Sequence, residues 1–171
     1  IKVYELTESC THIMDKGRAS INDMYVDPSN LGAIFGVQET ATDLIDGYKA
    51  ELASFTGSLR TGDPLRVFVY DSGEDAPFTA GLYAMPTALI EAAGGMNVME
   101  TFEKSWGTVT REEVVECNPE VIVIVNYGEL TAEQKRDFMM SNPAFAELDA
   151  VKNDRFVTLE YVEATPGPRN I

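Results

Sequence analysis

The sequence predicts an α/β protein whose main part is a Rossmann-like lobe with a parallel sheet, and three features carry that prediction. Between residues 65 and 159 short apolar runs alternate with stretches of helical spacing, in the order strand, helix, strand, helix, strand, at the separation that right-handed parallel crossovers need. One run, Val121-Ile122-Val123-Ile124-Val125, has no polar interruption, which marks a strand covered on both faces. The breaks between elements are chemically marked: Gly94-Gly95, Asn118-Pro119 and Asn142-Pro143 fall where one element must stop.

Taken in order, Ile1 to Leu6 reads as an interior strand, so the sequence is expected to begin in the middle of a domain. Residues 7–12 then form a polar turn past a strand end, where open α/β sheets place ligand contacts; Glu8 and Ser9 are candidates, against the alternative of an ordinary solvated loop. His12 is the only histidine, without the neighbours a metal site needs, and reads as solvated. Residues 20–25 look like a capped helix start, and Pro28 is expected to break any long helix before the apolar segment 31–36. From Gln38 to about Leu59, Ala41, Leu44, Ile45, Tyr48, Leu52 and Phe55 recur at helical spacing in a helix long enough to connect two lobes.

Residues 61–64 reset the chain, and residues 65–70 give the first strand of the main lobe, with a long polar exit over 71–81. A helix over 85–93 ends at the glycine pair, and a new element is expected from Asn97. Thr110 followed by Glu113 is a capping-box spacing that places Glu112 and Glu113 in a first helical turn; Thr131 and Gln134 repeat it. Residues 155–159 are the last strand, exiting into 160–169 with no helix returning from it.

Composition excludes several functions. The 171 residues carry 28 acidic against 13 basic side chains, a formal charge of −15 that argues against nucleic acid or an anionic membrane as partner. With 44% apolar residues and acids spread along the chain, the sequence is that of a folded globular protein. Cys10 and Cys117 lie in different units and read as small buried hydrophobes rather than as a disulfide. No apolar leader or membrane-length segment is visible.

The noteworthy polar and aromatic residues lie at strand exits: Tyr70, Asp71 and Ser72, then Tyr127, Tyr161 and Arg169, with Trp106 just before a helix start, either as core filler or in a loop. A phosphate loop is excluded, because GxxxxGK[ST] is absent and the 71–81 exit carries carboxylates that would repel the anion. Hydrolytic chemistry lacks a GxSxG elbow and a histidine base in the main lobe. Glu112 and Glu113 are adjacent, which on a helix turns them about 100° apart rather than onto one substrate atom. Their simplest role is to complement the helix dipole.

AGGMNV (93–98), Trp106, VTREEVVECNPEVIVIV (109–125) and the terminal PGPR (166–169) resemble the carboxyl-terminal lobe of the extracellular solute-binding proteins that serve ABC importers of iron siderophores, haem and cobalamin. LGAIFGVQETA (31–41) similarly resembles the segment leading into that family's inter-lobe helix. Thr110 and Glu120 are conservative departures from its V-S-x-E and N-P-D motifs. The resemblance implies the tail of an amino-terminal lobe over 1–37, a connecting helix over 38–60 and a carboxyl-terminal ligand-binding lobe over 61–171, with the first part of lobe one and a final helix missing. It implies a monomer that captures an iron chelate or a metal tetrapyrrole between two lobes and hands it to permease subunits, with no catalysis and no resident cofactor. The location it implies is extracytoplasmic, periplasmic or lipid-anchored at the cell surface. By the same comparison Trp106 lines the cleft, Glu112 docks onto permease arginines, and the 161–169 loop presents a polar or cationic ligand contact. Ligand contacts are thus expected from Trp106, Tyr70, Ser72, Tyr127, Tyr161, Arg169 and Glu8. The competing readings are a cofactor-binding α/β enzyme, for which GxGxxG is absent, and a chelatase-like relative, which would need a metal-handling cluster.

Overall fold

The computed structural model describes residues 2–6, 17–56 and 62–165. The elements follow as α1 (Asp23–Phe35), α2 (Gln38–Thr56), β1 (Leu65–Tyr70), β2 (Phe78–Ala80), α3 (Met85–Ala92), β3 (Gly95–Asn97), β4 (Trp106–Thr108), α4 (Arg111–Cys117), β5 (Val121–Asn126), α5 (Ala132–Ser141), α6 (Asp149–Lys152), β6 (Phe156–Glu160) and α7 (Tyr161–Ala164). The parallel α/β lobe expected from the sequence is present: β3, β1, β5 and β6 form a four-stranded sheet in that order, every pair parallel.

Alternation along β1 and β5 divides their side chains between two cores. Phe68, Tyr70, Ile122 and Ile124 pack with Val114 of α4, Met139 of α5 and Phe145 on one face. Val67, Val69 and Val125 pack with Ala80, Ala84, Ile90 and Ala164 on the other, and Trp106 lies against them. A central strand buried from both sides needs apolar residues at every position, which is why β5 reads as an unbroken run.

Five local expectations are corrected. Residues 2–6 form no strand and are exposed; a strand exists only through its ladder, and no described strand lies beside them. Tyr4 instead donates from its hydroxyl to Asp27 Oδ1 at 2.6 Å and accepts from Asn30 Nδ2 at 2.9 Å. Pro28 lies inside α1 without ending it. Its missing N–H removes one rung, and packing on α2 offsets the loss: a side chain at Gly32 would begin 2.6 Å from Ala41 Cβ, so only glycine lets the helices approach this closely. The element after α3 begins at Gly95, not Asn97, as edge strand β3. The exit loop over 71–81 contains β2, which pairs antiparallel with β4 in a two-stranded ribbon, Ala80 opposite Trp106. Finally, a short helix, α7, does follow the last strand.

The segment before α1 is tied to the lobe. Ala19 N–H donates to Leu82 O at 3.1 Å, and Ala19 and Met24 pack with Met85 and Ala88 of α3. Arg18 bonds Glu100 at 2.8 Å and also pairs with Glu91.

Candidate functional site

In a parallel sheet the carboxyl ends of the strands share one edge, and the loops leaving it are where α/β lobes meet ligands. Tyr127 follows β5 and Tyr161 follows β6. The strands are neighbours, and their register sets Asn126 opposite Glu160, one residue before each tyrosine. The two rings stack with centroids 4.3 Å apart and planes at 22°. Both remain about half exposed, 52% for Tyr127 and 46% for Tyr161.

Polar bonds around the stack hold it in place. Asn126 Nδ2 donates to both Glu160 carboxylate oxygens at 3.0 and 3.1 Å, while its Oδ1 accepts from the Ala132 N–H at the start of α5. Glu160 caps α7, its backbone N–H donating to Glu163 Oε2 at 2.9 Å, which fixes the helical turn that begins with Tyr161. From α5, Lys135 reaches back with its ammonium to Val125 O and Tyr127 O, both at 2.7 Å.

Trp106 occupies the ribbon. It is half-buried, stacks on Phe78 at 6.1 Å with planes at 15°, and lies against the cluster that contains Val125 and Ala164. It is therefore in a strand, neither in a loop nor wholly core. Trp106 and Ala164, the latter in the single turn that starts at Tyr161, border the same apolar cluster. The ribbon is anchored through Asn97, fully buried, whose Nδ2 donates to Ala80 O at 2.9 Å and Thr87 Oγ1 at 2.7 Å and whose Oδ1 accepts from Met99 N–H at 3.0 Å. Thr79 Oγ1 adds a bond to Val69 O on β1 at 2.5 Å.

α4 starts from the ribbon with the expected capping box: Thr110 Oγ1 accepts from Glu113 N–H, and the Glu113 carboxylate accepts from the Thr110 N–H at 2.7 Å. The Thr110 N–H, and then the Thr110 hydroxyl donating to the same carboxylate at 2.9 Å, hold the Glu113 carboxyl below its usual range. Glu113 is thus occupied, whereas Glu112 is exposed and its carboxylate has no partner among the described residues. Arg111 turns away to Glu74 O at 2.7 Å and Asp75 Oδ1 at 2.9 Å, strapping the β1 exit to the helix.

Tyr70 is a correction. It is 2% exposed and lies on the Phe68 side of β1, its ring stacked on Phe138 at 6.3 Å, because alternation turns it inward. Burial, then Glu74 and Asp71, push its phenol up to about 12 against a smaller opposing effect of Arg111. Ser72 stays at the exposed exit, its hydroxyl donating to Asp71 Oδ1 at 2.9 Å. Glu8, Cys10, His12 and Arg169 lie outside the described residues. Sequence reasoning assigned no role to Lys135 or Phe78 and used Asn97 only as a boundary. For Asn97 a signal was available: an amide directly after a glycine pair, at the mouth of a buried unit, has to find partners there.

A pocket of about 430 Å³ lies elsewhere, between α1 and α2, lined by Leu6, Met24, Asp27, Phe35, Thr40 and Leu44 among others. Its lining is mainly apolar helix packing surface, with Asp27, Thr40 and Tyr48 as its polar members. Among the described residues no cluster of His, Cys, Asp and Glu could hold a metal ion, and no helix is long and apolar enough to cross a membrane.

A family model described as a periplasmic binding protein matches residues 1–162. Among solved structures, a periplasmic binding protein from Veillonella parvula is 32% identical with a TM-score of 0.81, the match covering 88% of this chain and 53% of that one. An ABC-type Fe3+-hydroxamate transport system protein from Saccharomonospora viridis matches at 23% identity and TM-score 0.78, over 90% of this chain and 53% of its own. The periplasmic heme-binding protein RhuT from Roseiflexus, in apo form, matches at 22% identity and TM-score 0.73, over 88% and 59%. The last two likenesses are of fold. The chain spans about half the length of these relatives.

Proposed function

We propose, from the premise that this chain belongs to the periplasmic binding protein family, that it is part of the extracytoplasmic solute-binding component of an ABC importer. The ligand is an iron chelate, a haem or a cobalamin, held between this lobe and a second one and released to the permease. The protein acts as a monomer, reaches the outside by secretion or with a lipid anchor, and carries no resident cofactor. The observation that carries this reading is the half-exposed Tyr127–Tyr161 stack at the carboxyl ends of two neighbouring parallel strands, with the half-buried Trp106 on the ribbon bonded to β1. Rigid aromatic faces bind large, flat or apolar-skinned ligands at small entropic cost. They supply no nucleophile or base, in keeping with capture rather than turnover. Names of fold relatives, an iron-hydroxamate transport protein and a heme-binding protein, support the ligand class.

The test is titration of the full-length protein with a ferric trihydroxamate, haemin and cyanocobalamin, followed by the quenching that Trp106→Phe abolishes, Trp106 being the one tryptophan of these 171 residues. One class is expected to quench saturably at one ligand per chain and to be recovered unchanged. No response to any of the three, together with hydrolytic or reductive turnover of a small substrate, would overturn the reading.

A further inference from the structure

Lys135 is a charged residue in a buried place. It is 2% exposed on α5, beside Ala132, Phe138 and Met139, which pack into the core. A methionine or leucine would fill such a position without taking an ammonium out of water, but would leave the two carbonyls it bonds without that donor. Burial is the main influence on the group and pushes its pKa down, with the Asp71 carboxylate opposing. The ammonium spans two carbonyls that no helix or ladder would otherwise fix relative to each other: Val125 O, on β5, and Tyr127 O, just beyond its end. The next residue, Gly128, has φ +85°, a left-handed conformation at the most permissive residue type. Tyr127 is thus clamped on one side by Lys135 and followed on the other by a left-handed glycine.

We infer that Lys135 is a positioning residue: it holds the Tyr127 backbone so that the ring is stacked on Tyr161 before ligand arrives. The inference rests on the proposal that this pair contacts the chelate. A preformed platform spares the ordering of a side chain and loop on binding.

The experiment uses the full-length protein with Lys135→Met, Tyr127→Leu and the double substitution. In the unliganded protein, near-ultraviolet circular dichroism in the tyrosine band reads the stack directly. Lys135→Met is expected to remove most of the signal that Tyr127→Leu removes, and to change nothing further in the Tyr127→Leu background. Lys135→Arg, which keeps donors and charge, is expected to restore part of it. Haemin and ferric desferrioxamine B titrations should show affinity for the chelate that binds falling about three- to tenfold with Lys135→Met, again without additivity to Tyr127→Leu. A tyrosine band unchanged by Lys135→Met, or strictly additive effects, overturns the inference. If Lys135→Met does not fold, Lys135→Gln, which keeps amide donors but loses the charge and the reach, gives the same reading at partial amplitude, and an unchanged band there is equally fatal. Chelate binding unaffected by Tyr127→Leu defeats the ligand-contact reading instead, while the circular dichroism still decides the role of Lys135.

Discussion

Adding one methyl group at Gly81 tests how the ribbon is held in place. Gly81 lies where the chain leaves β2, with its N–H donating to Ser105 O at 2.8 Å and its carbonyl accepting from Thr87 Oγ1 at 2.7 Å. A Cβ there would lie 2.5 Å from both Lys104 O and Phe102 O and 2.9 Å from Phe102 Cδ1. Two of those contacts are backbone, about 0.8 Å short of an ordinary carbon–oxygen approach. Its backbone is not left-handed, so only this contact opposes a side chain. Relief requires the 102–105 segment to move away, and the residue after that segment is Trp106. Overpacking of this kind costs about 1 to 3 kcal/mol. Gly81→Ala should therefore lower the urea midpoint and shift the emission of the only tryptophan. Gly47→Ala is the control: it lies in α2 with nothing within 4 Å of its would-be Cβ, and should stabilise by about 0.5 to 1 kcal/mol with emission unchanged. Wild-type midpoint and emission in Gly81→Ala, or equal losses in both variants, would refute the reasoning.

Asn97→Ala removes three buried hydrogen bonds and strands Ala80 O and Met99 N–H, so a loss of about 3 kcal/mol is expected in denaturant unfolding, accompanied by a change in Trp106 emission. Tyr70 titrates high because its folded phenol favours the proton. Above pH 10 the unfolded chain ionises while the folded one does not, so its contribution to stability falls between pH 10 and about 12, and absorbance at alkaline pH should show one late-titrating phenol that Tyr70→Phe abolishes. Glu112→Ala in the full-length protein should leave chelate affinity unchanged and weaken capture by the permease by about 2 to 5 kcal/mol in a salt-dependent way, as befits an unpartnered carboxylate. Glu113→Ala, which breaks the cap, should lower stability and leave capture close to wild type; equal effects on capture would show that docking belongs to neither residue in particular.

The elements legible in the sequence are those whose cause is local. Both capping boxes, Thr110 with Glu113 and Thr131 with Gln134, are bonds between residues three apart, and β5 declares itself by five apolar residues in a row. Tyr127 and Tyr161 could be placed at strand exits for the same reason, but their stacking could not, because it depends on the register of β5 against β6. Lys135 sits on a helix whose spacing leaves a lysine looking solvated; the two carbonyls that bury it belong to another element. The ribbon was the least legible part. Its strands are three residues each and lie far apart in the chain, too short for alternation to register and too distant for a hairpin signal. Yet the chain runs from Trp106 in β4 through Val109 into the Thr110 cap and Glu112, while β2 is bonded to β1 through Thr79. Trp106 and Glu112, the carboxylate that the family resemblance assigns to docking, are therefore six residues apart on one short, hydrogen-bonded track. A displacement of Trp106 large enough to disturb the Thr110 cap would also turn the first helical turn that aims Glu112. The substitution at Gly81 consequently probes docking geometry as well as the binding face.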